Sequence, residues 1–105
     1  MPERKKTSIK GRKAAKILDD AKPEFYFKLI DGSEIKNLLE LADSLHSMSD
    51  DSFYYHVNGK RNDFSNWIKD IFKENDLADN VAGLNSRLEA EICILRFLVK
   101  NRGNK

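Results

Sequence analysis

The sequence is poor in the features that define several protein classes. Its single cysteine, Cys93, excludes an internal disulfide, and therefore the disulfide-rich secreted domains. No apolar run approaches the ~20 residues that span a bilayer, because Arg96 interrupts the longest one. The charged N-terminus is not followed by an apolar core, so we expect no secretory signal. These absences favour a cytoplasmic protein without membrane contact.

Positive charge is concentrated at the N-terminus. Residues 1–16 contain seven basic side chains and one acidic side chain, a net charge of +6, whereas the remaining 89 residues contain twelve basic and sixteen acidic side chains, a net charge of −4. The seven cations are Arg4, Lys5, Lys6, Lys10, Arg12, Lys13 and Lys16. Because few apolar residues lie among these cations, we expect a disordered basic arm over residues 1–22, followed by a single globular domain over residues 23–102.

The segment FYFKLIDG predicts a β-hairpin at the start of this domain. Aromatic and aliphatic residues precede Asp31-Gly32, which is a strong signal for a two-residue turn. An ideal turn of this kind pairs Lys28 with Ile35, which puts Ile35 on the face opposite Phe27. Either both faces of the hairpin are partly covered or a bulge intervenes.

Helix signals follow the hairpin at regular intervals. Asn37 and Glu40 have the spacing of a capping box, and Ser49 is expected to cap a second helix that Asn58-Gly59 ends. The inward positions of the first helix recur with helical spacing at Leu38, Leu41, Ala42, Leu45 and Met48. Those of the second are Phe53, Val57 and His56.

The second half of the chain predicts two helical segments before the last helix. Asn62 or Asp63 caps a helix whose inward stripe is Phe64, Trp67, Ile68 and Ile71. Asn75 or Asp76 starts a short turn carrying Leu77, Ala78 and Val81, which Gly83 interrupts. The predicted fold is therefore α+β and mostly helical, with an N-terminal β-hairpin packed on about four α-helices.

The last helix has an unusually broad apolar surface. A capping box at residues 86–89 starts it, and it runs to about Lys100. One seam contains Leu84, Leu88, Ile92, Leu95 and Val99, and further apolar residues, Cys93, Ile94, Phe97 and Leu98, extend it nearly around the helix. Such a helix is either central or shared with another chain. Its composition also suits a strand.

The order of these parts resembles a prokaryotic family known only as a domain of unknown function. The resemblance covers about residues 25–79 and rests on the aromatic strand with its DG turn, then LLELADSL, MSDDSFYYHVN, NDFSNWIKDIF and DLA. The most specific piece runs from the histidine to the Asp-Phe-x-x-Trp group. The resemblance implies a small, mostly helical module, and it brings no reaction, cofactor or catalytic residue.

The crowding of polar and aromatic groups between residues 53 and 71 has two interpretations. In one, a ligand pocket forms around His56, Asn58, Asn62, Asp63, Asn66 and Trp67. In the other, the same residues fasten a corner: the asparagines turn the chain and cap a helix, and Trp67 belongs to the core. His56 then hydrogen-bonds across the loop to Asp63 or to a backbone carbonyl, which is the interpretation that we favour.

Enzyme chemistry finds no support in the sequence. Cys93 lies in the most apolar run, and the five scattered glycines form no phosphate-binding loop. His46 and His56 lack metal-ligand spacing, and the acidic KENDLADN segment lacks the order of a calcium loop. We expect no catalytic residue, no metal and no cofactor.

The basic arm is the best functional lead. The leading hypothesis is a noncatalytic binding module whose arm contacts nucleic acid or a nucleoprotein assembly. Lys60 and Arg61, beside Tyr54 and Tyr55, are expected to add charge and stacking. One alternative is a protein–protein adaptor, with a protein partner or a homodimer contacting residues 84–99. The other is a small-ligand module around His56 and Trp67.

Overall fold

The computed structural model describes residues 19–101, and the fold begins with a short hairpin. After a 3-10 turn at Pro23–Phe25, strands β1 (Phe27–Lys28) and β2 (Glu34–Ile35) pair antiparallel. Asp20 is exposed, whereas Ala21 packs against the body just before the 3-10 turn. Ala21 is buried, and its N–H donates to the carbonyl of Lys36 at 2.7 Å.

The hairpin turn differs from the expected two-residue loop. Phe27 lies opposite Ile35, and the loop contains three residues, closed by a hydrogen bond of 2.9 Å from the Gly32 N–H to the Leu29 carbonyl. Gly32 has φ +91°, a conformation that glycine adopts without a steric cost. The extra loop residue shifts the register by one. Phe27 and Ile35 therefore share the buried face, which resolves the conflict in the sequence pattern.

Two capped helices follow, as predicted. Helix α1 (Leu38–Ser47) begins where the Asn37 side chain accepts the Glu40 N–H at 2.7 Å, and α2 (Asp50–His56) begins where Ser49 accepts the Ser52 N–H at 3.0 Å. Helix α2 ends at His56 rather than at residues 58–59. A second hairpin, β3 (Val57–Asn58) with β4 (Arg61–Asn62), was not predicted.

The Asn58 side chain explains this second hairpin. Its Oδ1 accepts the backbone N–H groups of Lys60 at 2.8 Å and Arg61 at 3.1 Å. An asparagine that binds amides two and three residues ahead forms a tight turn without the helix ladder. The Asn58-Gly59 signal therefore marks the turn between two short strands.

Helix α3 (Asp63–Trp67) ends in a widened turn. The Asn62 side chain caps it by accepting the Ser65 N–H at 3.0 Å, and residues Ile68–Phe72 continue it with π-helical geometry. The wider turn brings Phe72 into the core and leaves Ile71 half-buried, although the predicted stripe contained Ile71. Lys73, with φ 57°, ends the segment.

The last two helices complete the core. Helix α4 (Asn75–Ala82) buries Leu77, Ala78 and Val81, and α5 (Arg87–Asn101) begins after Ser86 accepts the Glu89 N–H at 3.3 Å. Helix α1 packs along α5, and α4 flanks it. The five helices and two small hairpins of residues 19–101 confirm the mostly helical α+β fold.

Candidate functional site

The corner between α2 and α3 is held by a buried histidine and a carboxylate. His56 is 5% exposed, and its Nδ1 lies 3.0 Å from Oδ2 of Asp63, the first residue of α3. A carboxylate accepts only, so Nδ1 carries the proton and donates. The predicted hydrogen bond from His56 to Asp63 is confirmed. It ties the end of one helix to the start of the next across the β3–β4 hairpin.

Aromatic rings surround the imidazole of His56. Tyr55 and Phe27 meet it edge-on with centroid distances of 4.9 and 5.2 Å, and Phe64 lies at 5.3 Å. The Nε2 atom is buried and has no hydrogen-bond partner among residues 19–101. Within that part of the chain, the bond to Asp63 is the one hydrogen bond that this ring makes. His56 is packed as part of the core.

Trp67 is also a core residue. Its ring is mostly buried and lies edge-on to Phe27 at 5.9 Å and to Phe72 at 5.2 Å. Its Nε1–H donates to the Phe25 carbonyl at 2.7 Å, which satisfies the indole and joins α3 to the 3-10 turn before β1. Both aromatic members of the predicted pocket thus hold elements of the fold together.

The asparagines of the predicted pocket line a separate polar recess. This open recess of about 330 Å³ lies beside the β3–β4 hairpin. Its polar lining includes Asn58, Lys60, Arg61, Asn62, Ser65, Asn66 and Asn85. Sequence reasoning missed Ser65, which lies on α3 within the predicted segment, and Asn85, which lies between α4 and α5. Asn58 and Asn62 use their side-chain oxygens to accept backbone N–H groups, so the structure separates them in role and place from His56 and Trp67.

Arg61 is engaged within the body. Its Nη2 donates to the Tyr55 carbonyl at 2.7 Å, its Nε lies 3.3 Å from Asp63 Oδ1, and its guanidinium lies over the Tyr55 ring at 5.8 Å. Tyr54 and Tyr55 are half-exposed, and the Tyr54 hydroxyl donates to the Asn85 carbonyl at 2.6 Å. Lys60 is exposed in the hairpin turn. Of the two predicted cations here, Lys60 is therefore the more available.

Helix α5 presents an apolar face to solvent. Leu88, Ile92 and Val99 are 46%, 50% and 60% exposed, and Leu95 beside them is half-buried. We name these four residues the α5 seam. The face that packs on the body instead contains Ala90, Ile94 and Leu98. The predicted seam had five residues, and the four of them that lie on α5 form the outer face of this helix. The apolar surface continues into a groove of about 930 Å³ between α4 and α5.

Burial and hydrogen bonding shift the pKa of Cys93, Glu74 and Asp31. Burial raises the pKa of the Cys93 thiol, which favours its protonated form. Burial, and then the charge of Asp76, raise the pKa of Glu74. Hydrogen bonds from the Ser33 hydroxyl and N–H lower the pKa of Asp31. No group of three or more His, Cys, Asp or Glu side chains in residues 19–101 is arranged to hold a metal ion.

The predicted nucleic-acid contacts at the N-terminus lie outside the described residues. These are Arg4, Lys5, Lys6, Lys10, Arg12, Lys13 and Lys16. Among the helices between residues 19 and 101, none combines the length and apolar character needed to cross a bilayer.

Comparison with known proteins extends the resemblance seen in the sequence. No curated protein and no solved structure matches the chain. Residues 26–99 match the sequence profile of the Family of unknown function (DUF5752), a range that includes both hairpins and all but the end of α5. The chain therefore belongs to the Family of unknown function (DUF5752).

Proposed function

We propose that the protein is a noncatalytic binding module whose N-terminal residues contact nucleic acid or a nucleoprotein assembly. The supporting observation is the division of charge along the chain. Residues 1–16 carry +6, and residues 19–101, with ten basic and sixteen acidic side chains, carry −6. A phosphate backbone is attracted to the first segment and repelled by the second.

Ion pairs within the body strengthen this division. Three of the ten cations in residues 19–101 already face the body's own carboxylates. The pairs are Lys28–Glu34 at 3.2 Å, Arg61–Asp63 at 3.3 Å and Arg87–Asp50 at 3.1 Å. Contact with phosphate therefore falls mainly to residues 1–16, with exposed Lys60 as a contributor from the body.

Two full-length variants test the proposal. In one, the seven cations of residues 1–16 are replaced by glutamine; in the other, residues 2–16 keep their composition in a scrambled order. Electrostatic contact with a phosphate backbone depends on charge and not on order. We expect the scrambled variant to bind a random-sequence duplex and single strand like the wild type, and the neutralised variant to lose binding at ~50 mM salt. Equal affinity for wild type and neutralised variant would refute the proposal.

A second candidate function is a protein–protein adaptor that dimerises through its C-terminal helix. The observation that favours it is the half-exposed apolar face of α5, formed by Leu88, Ile92 and Val99. Contiguous apolar surface of this kind commonly marks an interaction site. Sedimentation equilibrium tests it, since an adaptor of this type has a mass above the monomer value of 12.1 kDa.

A further inference from the structure

The exposed face of α5 has the spacing of a coiled-coil seam. Leu88, Ile92, Leu95 and Val99 follow one another at intervals of four, three and four residues. The packed residues Ala90, Ile94 and Leu98 recur at intervals of four and lie about 130° away around the helix. Helix α5 therefore has two apolar stripes, one packed on its own body and one mostly exposed, in which only Leu95 also packs partly against the core.

The residue types of the seam select its occupant. In heptad positions, Ile92 and Val99 occupy a, and Leu88 and Leu95 occupy d. β-branched residues at a with leucine at d favour a parallel, two-stranded coiled coil. We propose that a second copy of this chain covers the α5 seam, in a parallel and in-register pair. This inference rests on the adaptor function proposed above and deepens it by assigning the direction and register of the two helices.

The charges that flank the seam suit a second copy. In the parallel pair, Glu91 at position g lies on the side of Arg96 at position e of the next heptad in the other chain. The Glu91 side chain is 16% exposed and its carboxylate lies 3.2 Å from Nδ1 of His46 in its own chain, so it attracts Arg96 without a direct ion pair. An antiparallel pair instead places Glu89 near Arg96 of the other chain, which is also attractive. The charges therefore favour a pair of helices, and the direction rests on the residues at a and d.

A parallel pair places residue 20 of both chains at the same end of the two helices. Arg87, at the start of α5, donates to the carbonyls of Leu45 and His46 at 2.8 and 2.7 Å, so α1 runs antiparallel to α5. At the other end of α1, Asn37 donates to Asp20 Oδ1 at 2.7 Å. Residue 20 therefore lies toward the C-terminal end of α5, and parallel pairing brings residue 20 of both chains to the same end.

Sedimentation equilibrium of full-length variants tests the occupant. The seam spans two heptads, so we expect wild type to pass from monomer to dimer over ~10 to ~500 µM. Ile92→Glu should remain a monomer over that range. The matched control is Ile30→Glu, because Ile30 is 54% exposed and lies in the β1–β2 turn, so it should associate like wild type. A monomeric wild type at ~500 µM, or unchanged association of Ile92→Glu, would overturn the proposal.

Disulfide trapping tests the direction. With Cys93→Ser as background, Leu88→Cys faces its own equivalent in a parallel pair and should oxidise to a covalent dimer. In an antiparallel pair Leu88 faces Val99 instead. The parallel arrangement would be wrong if Leu88→Cys chains alone do not cross-link and a mixture of Leu88→Cys and Val99→Cys chains does.

Salt dependence then separates this inference from nucleic-acid binding. Two arms on one duplex give a slope of log affinity against log salt of about −12, and the Ile92→Glu monomer gives about −6. If the wild-type dimer has the same slope as the monomer, the two N-terminal segments do not bind one duplex together, and the proposed placement at the same end is wrong. A dimer that binds no nucleic acid would refute the proposed nucleic-acid function and leave the α5 seam intact.

Discussion

Replacing Asp63 with alanine should destabilise the protein more than its half-exposed position suggests. The Asp63 side chain is 32% exposed and accepts from His56 Nδ1 at 3.0 Å. Because His56 Nε2 has no partner in the described part of the chain, Asp63→Ala leaves the buried imidazole without a hydrogen bond to those residues. A hydrogen bond to a charged group contributes about 1.5–3 kcal/mol, and an unsatisfied buried donor costs about 1–3 kcal/mol. We expect a loss near 3 kcal/mol.

Asp50→Ala is the matched control for this prediction. Asp50 also lies in the first turn of a helix and also pairs with an arginine, Arg87, but its side chain is 74% exposed. Losing such a pair costs about 0–1 kcal/mol. Asp63→Asn should lie between the two alanine variants, since it keeps an oxygen that accepts from His56 but loses the charge.

Urea denaturation followed by circular dichroism measures the three variants. A loss of 3 kcal/mol also lowers the melting temperature by roughly 12–24 °C in a domain of this size. If Asp63→Ala is no less stable than Asp50→Ala, the His56 hydrogen bond does not hold the corner, and the reasoning is wrong.

Three further predictions concern the rest of the fold. Gly32→Ala should lower the free energy of unfolding by about 1–2 kcal/mol, because Gly32 has φ +91°. Gly59→Ala should change it by less than about 0.5 kcal/mol, since both sites have open space and only Gly32 has a positive φ. Equal effects of the two variants in thermal unfolding would contradict this reasoning. Trp67→Phe should lose about 1–2 kcal/mol by circular dichroism, because the Phe25 carbonyl loses its donor, and an unchanged stability would show that this bond is dispensable. Glu74→Gln should stabilise the protein at pH 7 and not at pH 3. Burial raises the Glu74 pKa, so the folded state disfavours the charged carboxylate, and this penalty disappears when falling pH protonates the carboxyl group. An equal gain in stability at both pH values would contradict this explanation.

Features set by neighbouring residues could be predicted from the sequence. The caps at Asn37, Ser49 and Ser86 were identified, and the cap of α3 was restricted to Asn62 or Asp63, because a capping side chain binds an N–H only three residues ahead. The hydrogen bond of His56 could also be anticipated, since a buried histidine needs a partner and Asp63 lies across a short loop.

Features that depend on a choice between two equally good sequence patterns could not be predicted from the sequence. The DG signal fits loops of two or three residues, and only packing of Phe27 and Ile35 on one face selects the longer loop. Helix α5 has two apolar stripes, and its sequence does not state which one α1 and α4 will cover. The smaller Ala90 allows close packing and marks the inner stripe once the neighbours are known.

The salt dependence of nucleic-acid affinity tests the central claim most directly. The claim is that the cations of residues 1–16 contact phosphates. In full-length variants that carry successive Lys→Gln or Arg→Gln replacements there, the slope of log affinity against log salt should start near −6 per chain and weaken by about 0.9 with each lost cation. A slope that stays constant across the series, or that is near zero in the wild type, would contradict the account.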